Sequence, residues 1–501
     1  MAAPGQRDAA RGSRPDRPAS LAITLLGIVG GAVTLIGIGI PSFWGDEAAS
    51  VMSAERPLPS LLAELTHVDA VHGLYYLFLH FWVGVAGTSE TAVRFPSAVA
   101  AGLAIAGTAA LGRQLFGMRV AVIAGVVAMT LPQLTRMGIE ARSYAFGMAA
   151  AVWLTWLLVR LIRRGETRRR WWAVYAVGAG LSVVLFMYLA LMVVVHLVVV
   201  VTERPPQRVV RAWLGAVAAA GVVALPLIAL AMGQQGQIAF LTHRHYATFA
   251  NVTVRQWFGT WYVAVIAWAL VVAGVVTTLR RGGRIRGGAL VVWAWLVAPT
   301  AILLAGNAWV HPMYNMRYLA FCAPATALAI GLGVDGLAAF VHGRGLRTAV
   351  AASLLVALAI ASAPTFAAQR TLYAKDGGSD LRQIADAVHQ HAAAGDAVVF
   401  DESTKPRLKR RLALDLYPSA FAGLDDVALA TRAADTPGLW DEVAPLDEVT
   451  AAVLAHHVVW AVESTNTRSG DVTALEGLGY RVVESFPLHR TVLYELERVS
   501  P

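Results

Sequence analysis

A chain of 501 residues that is 57% hydrophobic and only 15% charged, with a mean hydropathy of +0.58, cannot fold as a soluble globule. Its 41 basic and 32 acidic side chains leave a formal charge of +9, but the arginines sit in short connections between apolar runs, which is membrane-orientation signal and argues against nucleic-acid binding. The single cysteine, Cys322, excludes an intramolecular disulfide, and the absence of a Gly-x-x-x-x-Gly-Lys-Ser/Thr loop excludes a P-loop nucleotide site.

In chain order, residues 1–20 form a basic arm (Arg7, Arg11, Arg14, Arg17) without a small-residue cleavage site, so the apolar stretch 21–40 reads as a retained first span. An acidic loop follows, Trp44-Gly45-Asp46-Glu47-Ala48, continuing through Asp69 and His72-Gly73-Leu74-Tyr75-Tyr76. The aromatic-rich run 74–86 is too short to cross a bilayer and is expected to lie in the headgroup region. Further spans are expected near 95–112, 119–137, 144–161, 171–187, 188–202, 212–232, 259–278, 287–306, 318–340 and 347–366, which with the first makes eleven.

Loop charge supports this count. Arginines cluster at 113–119, 160–170, 204–211, 280–286 and 344–347, all on the side of the N-terminus, whereas the opposite loops carry isolated ones such as Arg94, Arg142 and Arg317. By the positive-inside rule the first set is cytoplasmic, and the acidic loop and the tail face outward. That tail, 368–501, changes in composition: a helical pattern at 380–388 and strand-like runs at 397–400, 458–462, 479–483 and 491–496 predict a small α/β domain. The intervening 21–367 reads as one helical membrane domain. Arginine-for-lysine usage with abundant Ala and Val resembles a GC-rich bacterial proteome, hence a bacterial plasma membrane.

The outward loops bring together Asp46, Glu47, Asp69, His72, Arg94, Glu140, Arg142, Tyr144, His243, His245, Arg317 and Tyr318. Carboxylates beside lipid are costly unless a polar cavity receives them, so Asp46 and Glu47 are candidate catalytic groups rather than only the cap of a helix. A carboxylate can take the proton of an attacking hydroxyl, and arginine forks can hold a phosphate and the charge that grows as it departs. Blander readings exist for several: Asp69 and His72 can start the short helix, Glu140 and Arg142 can pair with each other. His243 and His245, at i and i+2, offer ligands to a divalent cation, although a pair of histidines so spaced in a loop usually binds none. No metal or other cofactor is assigned on this evidence.

Gly45-Asp46-Glu47-Ala48, His72-x-Leu74-Tyr75-Tyr76, Ala92-Val93-Arg94-Phe95-Pro96-Ser97-Ala98, Glu140-Ala141-Arg142-x-Tyr144 and Arg317-Tyr318-Leu319 occur in an order that resembles the GT-C glycosyltransferase superfamily. The likeness is to its protein O-mannosyltransferases, lipid A aminoarabinose transferases and bacterial polyprenyl-phosphate-mannose-dependent mannosyltransferases. It implies an inverting transfer of a sugar, mannose first and arabinofuranose second, from a polyprenyl phosphate to an outer glycolipid, glycan or protein. It implies Asp46 as the base, with Glu47 beside it and Tyr75, Arg94 and the other outward residues binding substrate. The family's His-Pro-Pro-Leu-Tyr-Tyr is one residue shorter here and lacks proline. A transporter or lipid flippase is the competing class, but neither an internal repeat nor a mid-span acidic group supports it.

Overall fold

The computed structural model describes residues 17–234, 236 and 245–499. Fifteen helices carry the chain from Arg17 to Ala368: α1 Arg17–Leu35, α2 Gly45–Glu55, α3 Leu58–His67, α4 Gly73–Ala86, α5 Glu90–Phe116, α6 Met118–Thr130, α7 Pro132–Met137, α8 Tyr144–Arg163, α9 Arg169–Leu185, α10 Met192–Glu203, α11 Gln207–Gly233, α12 Trp261–Arg281, α13 Gly283–Trp309, α14 Ala323–Ala338 and α15 Arg344–Ala368. Among the described residues eight segments are long and apolar enough to cross a membrane: α1, α5, α8, α11, α12, α13, Met316–Ala338 and α15. The other three expected spans are helical but shorter. Leu131-Pro132 divides 119–137 into α6 and α7, because a proline begins a helix more readily than it continues one. Residues 188–202 become a 3₁₀ turn followed by α10, and 171–187 becomes the 17-residue α9. The expected interfacial run is the 14-residue α4, about 21 Å long and so well short of a hydrocarbon core.

Small residues decide which helices lie at the centre. The 18-residue apolar window of Met316–Ala338 is entirely buried and that of α5 is 83% buried, whereas those of α1 and α15 are 17% buried. Where α1 crosses α5, a Cβ on Gly102 would sit 2.7 Å from the carbonyl oxygen of Gly27, and where α12 meets α14, one on Gly333 would sit 1.9 Å from that of Leu270. Such close crossings gain van der Waals contact that larger side chains would forbid, the main source of helix association when lipid removes any hydrophobic incentive.

After α15 the chain forms an α/β region. A helix, α16 (Leu381–His391), precedes β1 (Ala397–Phe400), and α17 (Leu412–Leu416) precedes β2 (Asp425–Asp426), β3 (Leu429–Thr431), β4 (Glu442–Val443), β5 (Val458–Ser464), β6 (Tyr480–Pro487) and β7 (Thr491–Arg498). The main sheet has the order β2-β1-β5-β7-β6, parallel from β2 to β5 and antiparallel beyond. The four sequence-predicted strands are β1, β5, β6 and β7; the two- and three-residue strands β2 to β4 are too short to carry a periodicity.

This region is clamped to the start of the membrane part. Arg382 bonds Glu90 at the N-terminus of α5 from Nε at 2.8 Å, and Ser379 Oγ donates to Phe43 O at 2.6 Å. Arg56, at the end of α2 and buried, pairs with Glu64 at 2.9 Å and donates from Nη1 to Thr436 O at 2.9 Å. One apolar cluster runs across the junction, joining Phe43, Val51, Tyr76 and Val93 to Leu381, Phe400, Leu412 and Trp460. A buried interface with these ties fixes the α/β region over α2.

Candidate active site

The acidic pair opens α2, where carboxylates favour the unpaired N–H groups of the first turn. Adjacent residues on a helix point about 100° apart, so the two carboxylates part company. Glu47 turns inward and is fully buried. It receives Arg94 Nε at 2.8 Å, Arg94 Nη2 at 2.6 Å and the Ala141 N–H at 3.0 Å. Arg94 spends its other donors on Pro41 O and Ile38 O, at 2.8 and 2.9 Å, and on Ser42 O at 3.2 Å. Glu47 and Arg94 therefore brace α2 against α5 and are not among the residues that line the Asp46 cavity, whereas the sequence places both with the substrate-facing groups.

Asp46 turns the other way, into a cavity of about 440 Å³, within the usual size of a small-molecule site. Its Oδ2 accepts from Arg317 Nη1 at 2.9 Å, and both side chains keep about a fifth of their surface exposed. Trp44 holds the same guanidinium from another side, its ring centroid 4.9 Å away. Burial would raise the Asp46 carboxyl, but the Arg317 charge and hydrogen bond, aided by Arg142 and Arg407, outweigh it and hold the group below its ordinary value. Asp46 is thus an anion at neutral pH.

Arg142 faces the same cavity, from the loop before α8. It is buried, donates from Nη1 to Tyr76 Oη at 2.9 Å, and keeps Nε buried without a partner. Tyr76 Oη in turn donates a hydrogen bond to Asp69 Oδ2 at 2.7 Å. Asp69 has φ 55°, a left-handed conformation that asparagine and aspartate tolerate better than most side chains. Arg142, Tyr76 and Asp69 thereby form one chain. His72 lies beside Tyr76 and is pushed down to about 4 by burial and the Arg142 charge, so its imidazole is neutral. A buried guanidinium with an idle N–H and no carboxylate in ion-pair range among the described residues is suited to an incoming anion.

Aromatic rings form another wall. Tyr318 stacks on Tyr188 with centroids 4.7 Å apart, and Tyr144 packs edge-on against Phe186 at 5.5 Å. The α/β region closes the top with Asp376, Lys405, Arg407 and Trp440. Arg407 pairs with Asp376 at 3.0 Å, whereas Lys405 makes no ion pair among the described residues. These four are absent from the expected set. Nothing local in the run 405–411 shows that it reaches back to Gly45.

Of the expected residues, Asp46, Asp69, His72, Arg142, Tyr144, Arg317 and Tyr318 share this cavity. Tyr75 does not: it is buried against Phe146, one helical step from Tyr76, which bridges Arg142 and Asp69 instead. Glu140 is also buried elsewhere, 3.4 Å from Arg136 and 3.8 Å from Lys375. His245 is exposed and outside the cavity lining, and His243 lies outside the described residues. Among the described residues no group of three or more His, Cys, Asp or Glu side chains is placed to hold a metal ion.

Comparison with known proteins gives the fold a context. Residues 74–231 match a family described as dolichyl-phosphate-mannose-protein mannosyltransferase. No curated protein matches the chain significantly by sequence. Among solved structures, ArnT from Cupriavidus metallidurans bound to undecaprenyl phosphate superposes with a TM-score of 0.58 at 14% identity, covering 94% of this chain and 97% of that one. Its apo state gives 0.58 at 13% identity, over 95% and 98%. The apo oligosaccharyltransferase of Archaeoglobus fulgidus gives 0.51 at 10% identity, over 93% and 71%. The resemblance read from five short motifs is thus matched by the course of nearly the whole chain, and the chain has the GT-C fold of membrane glycosyltransferases.

Proposed function

We propose that this protein is a glycosyltransferase that takes a sugar, mannose in the first instance, from a polyprenyl phosphate and transfers it with inversion to a cell-envelope acceptor. One observation carries the reading: a single cavity is lined by an anionic Asp46 tied to Arg317 and by the buried Arg142 with an idle donor. The matched mannosyltransferase family and the undecaprenyl phosphate bound by ArnT support the donor class. The basic clusters at 160–170 and 280–286 support an outward-facing cavity in a bacterial plasma membrane.

In the step, the acceptor oxygen attacks the anomeric carbon as the bond from that carbon to the phosphate oxygen breaks. The acceptor proton passes to Asp46, and polyprenyl phosphate leaves with the bonding pair. Arg142 and Arg317 flank the place where negative charge gathers on the departing phosphate, so their attraction grows along the reaction coordinate. A carboxylate held at low pKa is a weak base, which suits a transfer in which the acceptor loses its proton late. Lys405, Arg407 and Trp440 add an upper wall from the α/β region to the same cavity.

The test is Asp46→Asn in purified enzyme with a polyprenyl-phosphate mannose donor. The amide is nearly isosteric but cannot take the proton, and loss of a general base typically costs about 100- to 10,000-fold in rate. Donor binding should survive. Near-normal turnover would remove Asp46 from the chemistry.

A further inference from the structure

A second cavity, of about 210 Å³, lies between α7, the end of α15 and the turn before α12, and shares no lining residue with the Asp46 cavity. Its walls carry two guanidinium groups, Arg136 and Arg255, together with Gln133, Thr365 and Gln369. We propose that it binds the phosphate of an anionic phospholipid in the leaflet on the Asp46 side of the membrane. This assignment is independent of the proposed transferase activity.

The charge balance favours an anion. Arg136 is 45% exposed and among the described residues pairs only with Glu140, at 3.4 Å, a carboxylate that Lys375 also approaches. Arg255 is exposed, and it donates from Nη1 to the neutral Asn251 Oδ1 at 3.3 Å. No carboxylate lies within ion-pair range of Arg255 among the described residues. Thr365 Oγ1 is buried with no hydrogen-bond partner, an unused donor at the same place. Two guanidinium forks and a hydroxyl match the oxygens of a phosphodiester.

The surroundings favour a lipid over a free ion. α15 packs on both α7 and α12, so the cavity opens where membrane-length helices end. Those helices carry strongly exposed apolar side chains below the rim: Trp261 and Val265 on α12, Val356 and Ile360 on α15. A headgroup seated between the arginines can lay its acyl chains along that surface.

The experiment uses the delipidated full-length protein and native mass spectrometry, titrating phosphatidylglycerol with phosphatidylcholine as the uncharged control. Wild type should retain phosphatidylglycerol in preference. Arg255→Gln should weaken that binding about fivefold, and Arg136→Gln with Arg255→Gln further, since each arginine near an anionic headgroup contributes on the order of a factor of five. Phosphatidylcholine retention should not change. Wild-type affinity in Arg255→Gln would overturn the site; this exposed side chain decides the matter even where the double variant fails to fold. Equal retention of phosphatidylcholine would overturn charge recognition. Displacement by inorganic phosphate at equal concentration would overturn the lipid assignment.

Discussion

Asp46 and Glu47 are neighbours with opposite fates, and the difference lies in what each carboxylate meets. Asp46 ends at a partly exposed guanidinium on a cavity wall, whereas Glu47 ends in a sealed pocket with Arg94 and a backbone N–H. The buried pair is expected to be structural. Glu47→Gln leaves the Arg94 charge in the interior without its counter-ion, and breaking such a pair costs about 3–5 kcal/mol. The three carbonyl oxygens that Arg94 also reaches place the loss toward the lower end. Thermal unfolding of the detergent-solubilised variant should show that loss, with donor affinity per folded molecule unchanged. Unaltered stability with lost turnover would instead return Glu47 to the substrate.

At the scale of elements, α2 and the 405–407 segment are built to touch. An added Cβ at Gly45 would stand 2.1 Å from the carbonyl oxygen of Arg407, far inside any non-bonded contact. In an ordinary helix Gly→Ala is favourable by about 1 kcal/mol. Here Gly45→Ala must push Arg407 and Lys405 off the Asp46 cavity, and a displacement of about 1 Å near reacting groups can cost about 100-fold in rate. We expect that loss in single-turnover assays; wild-type rates would show that the upper wall is not part of the working site. The same contact marks where sequence reading ended. Helix positions were legible because hydropathy repeats over whole spans, and Asp46, Arg142 and Arg317 stood out as charges beside lipid. Which of Tyr75 and Tyr76 meets Arg142 depends on helix phase, and the arrival of Lys405 and Arg407 depends on long-range folding. Neither leaves a local pattern.

For the whole molecule, orientation decides whether the donor and acceptor can meet at all. The arginine-rich connections argue that the N-terminus is cytoplasmic and that the chain beyond α15 lies outside. Ala430→Cys provides the measurement, because Ala430 is exposed in β3 and the native Cys322 is buried and silent. A membrane-impermeant maleimide should label this variant in intact cells. Labelling only after permeabilisation would invert the topology. The result reaches further than one residue, since the α/β region is fixed to α2 by Arg56, Ser379 and the Gly45–Arg407 contact. Residue 430 and Asp46 therefore share a side. Labelling from outside places the candidate base where a lipid-linked sugar on the outer leaflet reaches it, and labelling from inside would require a donor and an acceptor that both lie in the cytoplasm.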